Sequence, residues 1–355
     1  MKIAISTGGG DAPGLNAVIR GAVLAAEQRG WHCVGIRRGY AGLLGEDKLV
    51  PLGAAEVRGI THVGGTILGT TNRGDPFRWR ERAPDGSWTE RDRSTELVAA
   101  FRAQGFDALI AIGGDGSLAI AKRLMDKGIP VVGVPKTIDN DVAGTAVTFG
   151  FDTAVSVATE AIDRIHTTAE AHERVMVVEV MGRHAGFIAL TAGIAATADV
   201  ILIPEIPFDL EKVCEKIRRR EAEGRPFSIV VAAEGAVPKG GALSFVDAAH
   251  DRLGGIGDKV ARAIEELTGK ETRSLVLGHL QRGGTPTTFD RLLALRFGTA
   301  AVRFIAQGKF GMMAALQPPD IVPVPLEEAT RAPKQVPLDS DTIATARELG
   351  ISLGD

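Results

Sequence analysis

The sequence predicts an α/β protein of two lobes, each with a largely parallel sheet flanked by helices. Three observations carry that expectation. Short apolar runs end in glycine turns and lead into amphipathic stretches, repeatedly along the chain, which is the alternation of strand, turn and helix. The 355 residues, 45% hydrophobic and 24% charged, suffice for two cores. The 44 glycines fall mostly at the ends of apolar runs rather than in one flexible tract.

Composition excludes several classes. A net charge of −3 without a long basic block leaves no electrostatic footprint for nucleic acid. The two cysteines, Cys33 and Cys214, lie far apart, which argues for a reducing compartment and against a disulfide framework or zinc site. No run approaches the roughly 18 apolar residues of a membrane span. The chain enters a strand-like Lys2-Ile3-Ala4-Ile5-Ser6 at once, so no signal peptide and a cytoplasmic location are expected.

Taken in order, Ile3-Ala4-Ile5 is a strand, followed by Gly8-Gly9-Gly10-Asp11-Ala12-Pro13-Gly14 and a helix over 15–28. Cys33-Val34-Gly35-Ile36 is the next strand. The charged stretch 78–93, with Pro84-Asp85-Gly86 as a turn, reads as a surface excursion. A helix over 97–104 leads to the strand 108–112 and then to Gly113-Gly114-Asp115-Gly116-Ser117. Ile129-Pro130-Val131-Val132 reads as a short buried strand that Pro135 stops. Beyond it, a helix over 153–170 precedes strands at 175–180, 200–203, 228–232 and 274–277, with helices at 185–196 and 258–267. The glycine-rich span 237–257 reads as an insertion between a strand and its helix. From 318 onward, proline, charge and small residues predict a peripheral tail.

In open α/β sheets, chemistry collects past the carboxyl ends of strands. That position after residue 132 holds Lys136-Thr137-Ile138-Asp139-Asn140-Asp141. In an extended loop Asp139 and Asp141 point the same way, so one could take a proton while the other orients a partner. A solvated Asx turn is the alternative. The two glycine clusters suit phosphate binding by backbone N–H groups and a helix N-terminus, or are merely tight turns. Neither is a dinucleotide fingerprint or a P-loop. Asp115 could reach a phosphate-bound magnesium ion. Arg183, Glu234, His279 and Arg282 follow later strands, as a sugar-phosphate pocket of arginine forks and a carboxylate would need. Arg174 and Arg273 sit at strand beginnings, the opposite end, and could serve only a neighbouring subunit.

The segments 9–16, 113–117, 135–141, 178–183, 271–273 and 277–284 together resemble the 6-phosphofructokinase family, in family order over residues 1–308. The resemblance implies a phosphofructokinase-like fold with the active site in the cleft between the lobes. It implies phosphoryl transfer to the 1-hydroxyl of fructose 6-phosphate, giving fructose 1,6-bisphosphate in glycolysis. Residues 1–150 would form the nucleotide and magnesium lobe, able to recruit C-terminal segments. Residues 151–320 would form the sugar-phosphate lobe and 321–355 the tail. Asp139, Thr137 and Arg183 would be catalytic, and Asp115 would hold Mg²⁺. Gly9, Arg73, Gly74, Gly113, Gly114, Asp115, Gly116 and Ser117 would surround the nucleotide. Thr137, Ile138, Asp139, Asp141, Met181, Gly182, Arg183, Glu234, His279, Leu280, Gln281 and Arg282 would bind substrate. Arg174 and Arg273 would reach its 6-phosphate across an interface of a homodimer or homotetramer. Nucleic acid and membrane are not expected partners.

Two residues bear on the donor. Gly116 is the residue of ATP enzymes in the resembled family, because a carboxylate there would crowd and repel the α-phosphate. Lys136 is typical of its pyrophosphate enzymes. The combination resembles a mixed subgroup, and ATP is the expected donor with pyrophosphate as the alternative. Leu24, Ala54 and His166 replace basic residues at the resembled family's effector site, whereas Arg20 and Tyr40 match it, so weak or no control by ADP or phosphoenolpyruvate is expected there.

Overall fold

The computed structural model describes residues 1–83, 85–247 and 252–355. The chain forms two compact units, one of Met1–Asp152 with Arg282–Pro333, the other of Thr153–Gln281 with Lys334–Asp355. The first half of the chain runs β1 (Lys2–Thr7), α1 (Leu15–Glu27), β2 (His32–Ile36), β3 (Leu49–Leu52), β4 (Trp79–Arg82), β5 (Trp88–Arg91), α2 (Ser94–Ala103), β6 (Ala108–Gly113), α3 (Asp115–Asp126), β7 (Val131–Pro135) and α4 (Phe151–His172). It continues with β8 (Val175–Val180), α5 (Phe187–Ala195), β9 (Val200–Leu202), α6 (Leu210–Ala222), β10 (Ser228–Ala233), β11 (Phe245–Asp247), β12 (Arg252–Leu253) and α7 (Ile256–Thr268). Last come β13 (Thr272–Val276), α8 (Thr288–Ala306), β14 (Met312–Gln317), β15 (Asp320–Pro325), α9 (Leu326–Thr330) and α10 (Asp341–Glu348).

The first unit holds a seven-stranded sheet in the order β15-β14-β7-β6-β1-β2-β3. Its five central strands are parallel, and β3 and β15 are antiparallel edges. All six residues of β6 are buried, as a continuous apolar run covered on both faces must be. Leu15, Val18 and Ile19 of α1 and Phe297 and Ala301 of α8 fill one apolar cluster with Ile3, Ile5 and Ile110. Leu97 and Phe101 of α2 and Leu118 and Leu124 of α3 fill another with Leu109 and Val131. Helices α1 and α8 meet at glycines: a methyl group on Gly21 would lie 2.7 Å from the Leu295 carbonyl, and one on Gly298 would strike Val18.

The second unit has a parallel four-stranded sheet, β13-β8-β10-β9. Val213 and Ile217 of α6 and Val260 and Ile264 of α7 cover Val177, Val200 and Val230. Among the described residues no helix is long and apolar enough to cross a membrane.

The elements depart from the sequence reading in five places. Strand β7 begins at Val131 rather than Ile129 and includes Pro135 as its last residue, opposite Gly113, where the missing N–H interrupts little. The stretch 78–93 carries the antiparallel hairpin β4–β5, and Pro84 of its expected turn lies outside the described residues. The span 237–257 carries the small antiparallel pair β11–β12, with 248–251 outside the described residues. Residues 282–320 belong to the first unit, supplying α8 and β14, and not to the second. The C-terminus is not a peripheral tail. β15 edges the larger sheet, and Ser352 pairs in parallel with Val200 of β9 while Ile351 and Leu353 are buried. The alternation Ile351-Ser352-Leu353 is what lets this short piece extend the smaller sheet.

Candidate active site

Strands β1, β6 and β7 lie side by side and parallel, so their carboxyl ends bring three loops together in the first unit. The Gly8 amide donates to the Ile112 carbonyl at 2.9 Å, and the Gly9 amide to the Thr71 carbonyl at 3.1 Å. Thr70 Oγ1 donates to the Gly9 carbonyl at 2.6 Å. Through these bonds the segment bearing Arg73 and Gly74 is held against Gly9, and Arg73 itself is exposed. Ser117 packs so tightly beneath both glycine loops that a methyl group on Gly8 would lie 2.8 Å from its Oγ. Helix α3 begins at Asp115, so Asp115, Gly116 and Ser117 form its first turn with the free amides facing outward along the axis. Gly116 stands apart from the other glycines here. A methyl group on it would meet no protein atom within 4 Å.

The third loop follows β7. Lys136, Thr137, Ile138, Asp139, Asn140 and Asp141 are all buried. Of the two conformations the sequence left open, the loop is not the extended one: Asn140 has φ 54° and turns the chain between the two aspartates. Asparagine tolerates this left-handed conformation, and its Oδ1 accepts from the Thr148 amide at 3.1 Å. Thr137 Oγ1 accepts from the Asp139 amide at 3.1 Å and lies 3.3 Å from Asp139 Oδ2. Arg282 reaches in from before α8. Its Nη1 donates to the Asp11 carbonyl at 3.2 Å, and its Nη2 lies 3.9 Å from Asp139 Oδ2.

The charges in this loop strain against one another. Burial pushes the Asp141 carboxyl up to about 6, and the fields of Asp139 and Asp115 add to the effect. Asp141 Oδ1 is buried without a hydrogen-bond partner. Burial pulls the Lys136 ammonium down to about 8, aided by Arg282 and opposed by Asp139, Asp141 and Asp11. Among the described residues no group of three or more His, Cys, Asp and Glu side chains forms a metal cage. The unpartnered Asp141 oxygen, within the field of Asp139 and Asp115, suits a hard cation that keeps its waters and phosphate ligands.

In the second unit, the carboxyl ends of β13, β8 and β10 are adjacent. Here Met181 and Gly182 lead to Arg183, whose amide donates to Glu234 Oε1 at 2.9 Å, while the Glu234 amide donates to the Val180 carbonyl at 2.8 Å. A methyl group on Gly235 would strike the Arg183 carbonyl, so the two loops need glycine there to close on each other. After β13 the chain makes a 3-10 turn, Gly278–Arg282. His279 and Leu280 are exposed in it and Gln281 is buried. Gln281 is the last residue of this segment of the second unit, and Arg282 the first of the returning segment of the first.

Arg174 and Arg273 lie at the amino ends of β8 and β13, as their strand-start positions require. Both engage one carboxylate: Arg174 Nη2 and Arg273 Nη2 sit 2.8 and 2.6 Å from Glu271 Oε1. The hydrogen bond from Arg174, more than any other influence, holds the Glu271 carboxyl below its ordinary range. The shared acceptor was not assigned a role from sequence, although its spacing from Arg273 in Glu271-Thr272-Arg273 was a usable signal. Thr70, Thr71 and Thr148, which fix the loops through backbone contacts, gave no such signal. At the expected effector positions Arg20 Nη1 donates to the Val57 carbonyl at 2.8 Å, and His166 Nε2 lies 2.7 Å from the Ala196 carbonyl.

Comparison with known proteins identifies the family. Residues 2–305 match the family described as phosphofructokinase. The chain is 54% identical over 355 residues to an ATP-dependent 6-phosphofructokinase of Chloroflexus aggregans, covering all of this chain and 98% of that one. It is also 54% identical over 343 residues to a pyrophosphate–fructose 6-phosphate 1-phosphotransferase of Amycolatopsis methanolica, covering 95% of this chain and 96% of that one. The crystal structure of Pichia pastoris phosphofructokinase in the T-state superposes with a TM-score of 0.80 at 32% identity over 99% of this chain, which spans 37% of that longer chain. The chain belongs to the phosphofructokinase family.

Proposed function

We propose that the protein transfers the terminal phosphoryl group of MgATP to the 1-hydroxyl of fructose 6-phosphate, giving fructose 1,6-bisphosphate and ADP. The observation that carries the reading is the buried Asp139, tied to Thr137 and facing Arg282, beside two glycine loops at the carboxyl ends of neighbouring strands. An alcohol is a poor nucleophile. Asp139 accepts the proton of the 1-hydroxyl as its oxygen bonds to phosphorus and the bond to the leaving ADP breaks. Thr137 holds the carboxylate in place, and Asp141 and Ile138 shape the pocket around the sugar. Amides of Gly9 and of the first turn of α3, with Arg73 and Gly74, receive the nucleotide phosphates. Asp115 is the residue for Mg²⁺, which when bound neutralises phosphate charge. Arg183 stabilises charge on the transferring group. Glu234 accepts sugar hydroxyls, and Met181, Gly182, His279, Leu280, Gln281 and Arg282 complete the sugar-phosphate side. Arg174 and Arg273 contact the 6-phosphate of a neighbouring protomer in a homodimer or homotetramer.

The open space at Gly116 favours ATP, because nothing in the protein requires glycine there, and a bulky donor does. Pyrophosphate is the second reading, favoured by the buried Lys136, which can complement a phosphate leaving group. The test of the chemistry is Asp139→Ser. Fructose 1,6-bisphosphate formation should fall roughly 10³-fold in kcat with little change in sugar binding, the scale of general-base catalysis. Near-normal turnover in that variant would remove Asp139 from the mechanism.

A further inference from the structure

Glu179 is a carboxylate in the middle of an apolar strand, Val175-Met176-Val177-Val178-Glu179-Val180, and is only 2% exposed. Burying a carboxylate there is costly unless its oxygens are satisfied. Among the described residues, its side chain is satisfied by backbone: Oε1 accepts from the Gly255 amide at 3.0 Å and Oε2 from the Gly257 amide at 2.7 Å. Those amides belong to the first turn of α7 and its cap, so the carboxylate also sits at the positive end of that helix. The turn is built to receive it. Gly254 and Gly255 have φ 139° and 83°, and a methyl group on Gly257 would lie 3.0 Å from Glu179 Cβ.

The excursion 237–257 is thereby fastened to β8 at its returning end, while its first residues pair with Phe208. It leaves the sheet three residues after Glu234, whose side chain holds the Arg183 amide, and it returns onto Glu179, four residues before Arg183. Within it the Gly254 amide donates to the Ser244 carbonyl at 3.1 Å, and Lys259 Nζ of α7 donates to Ser244 Oγ at 3.0 Å, closing the base of the loop. Strand β8 therefore shares its alignment with the start of α7, and Glu234, just past β10, holds the Arg183 amide beyond the end of β8.

Resting on the sugar-phosphate reading of Arg183 and Glu234, we propose that Glu179 is a positioning residue for that side of the site. It sets the height of residues 181–183 against Glu234 by clamping the returning excursion to β8. It touches neither substrate. Glu179→Gln keeps the shape but replaces one acceptor oxygen with a donor that faces an amide, so one of the two bonds is lost.

In the full-length enzyme, Glu179→Gln should raise KM for fructose 6-phosphate about tenfold and leave KM for ATP unchanged. Native hydrogen exchange of the Gly255 and Gly257 amides should quicken in the same variant. If Glu179→Gln does not fold, Gly257→Ala, which presses on Glu179 while keeping both oxygens, should shift the same KM in the same direction. Unchanged KM for fructose 6-phosphate alongside faster exchange would overturn the positioning role, as would equal shifts in both KM values. Unchanged exchange would overturn the clamp itself. A wild-type enzyme inactive toward fructose 6-phosphate would overturn the functional reading and the positioning role with it, and the exchange data would still show whether the clamp exists.

Discussion

Two groups of charge in this chain are built to opposite plans. In the first unit the 136–141 loop is closed, with both aspartates and the lysine buried and its backbone pinned by Thr137 and Thr148. In the second unit Arg174 and Arg273 stand at the open beginning of the sheet, sharing one glutamate, and the Arg273 side chain is 53% exposed. A proton acceptor gains from a dry, fixed setting in which neighbouring charges tune it. A phosphate recognition pair gains from the reverse: two guanidinium forks at an open edge can exchange their carboxylate partners, Glu271 and Glu265, for a phosphate. The proposed function puts chemistry in the closed region and recognition in the open one.

That contrast predicts different kinetic signatures. After the loss in kcat expected at Asp139, the next effect is at the open pair. Arg273→Ala should raise KM for fructose 6-phosphate by about ten- to a hundredfold while kcat stays within a few-fold, since an arginine–phosphate contact is removed far from the reacting atoms. A fall in kcat with unchanged KM would place Arg273 in the chemistry and erase the distinction. A smaller effect is expected at Gly116, the one glycine of its loop that faces open space. Gly116→Asp should raise KM for ATP about tenfold or more by charge repulsion, with little effect on use of pyrophosphate. Equal use of ATP by both proteins would mean that this space is not where the nucleotide lies.

The smallest effect concerns stability. The Asp141 carboxyl titrates near 6 in the folded protein and at its ordinary lower value when unfolded. Its ionised form is therefore disfavoured by folding, and the resulting penalty is absent below about pH 4, grows between about pH 4 and 6 and is fully present above that. Asp141→Asn should be more stable than wild type above pH 6 by roughly 3 kcal/mol and nearly indistinguishable from it below pH 4. Urea unfolding at the two pH values measures the difference. A gap independent of pH would show that shape rather than charge governs the position.

Much of the site was legible because its parts sit where topology places chemistry. Gly113-Gly114-Asp115-Gly116-Ser117 follows a run of Ala, Leu and Ile long enough to be a buried strand, and Arg174 and Arg273 precede such runs. The conformation of 137–141 was not legible, since the left-handed turn at Asn140 is held by Thr148, eight residues away and with no local signal. β14 was also hidden. Met312-Met313-Ala314-Ala315-Leu316-Gln317 has no β-branched residue and becomes a strand through its antiparallel partner β15 and a short parallel contact with β7. The C-terminal Ile351-Ser352-Leu353 is too short to read as a strand until β9 offers it an edge.

The most direct measurement is fructose 1,6-bisphosphate formation from fructose 6-phosphate and Mg²⁺ with ATP or pyrophosphate as the sole donor. Product with ATP and little with pyrophosphate is the expected result, with the space at Gly116 deciding the donor and Lys136 tolerated. Product with pyrophosphate alone would contradict it and make Lys136 the deciding residue.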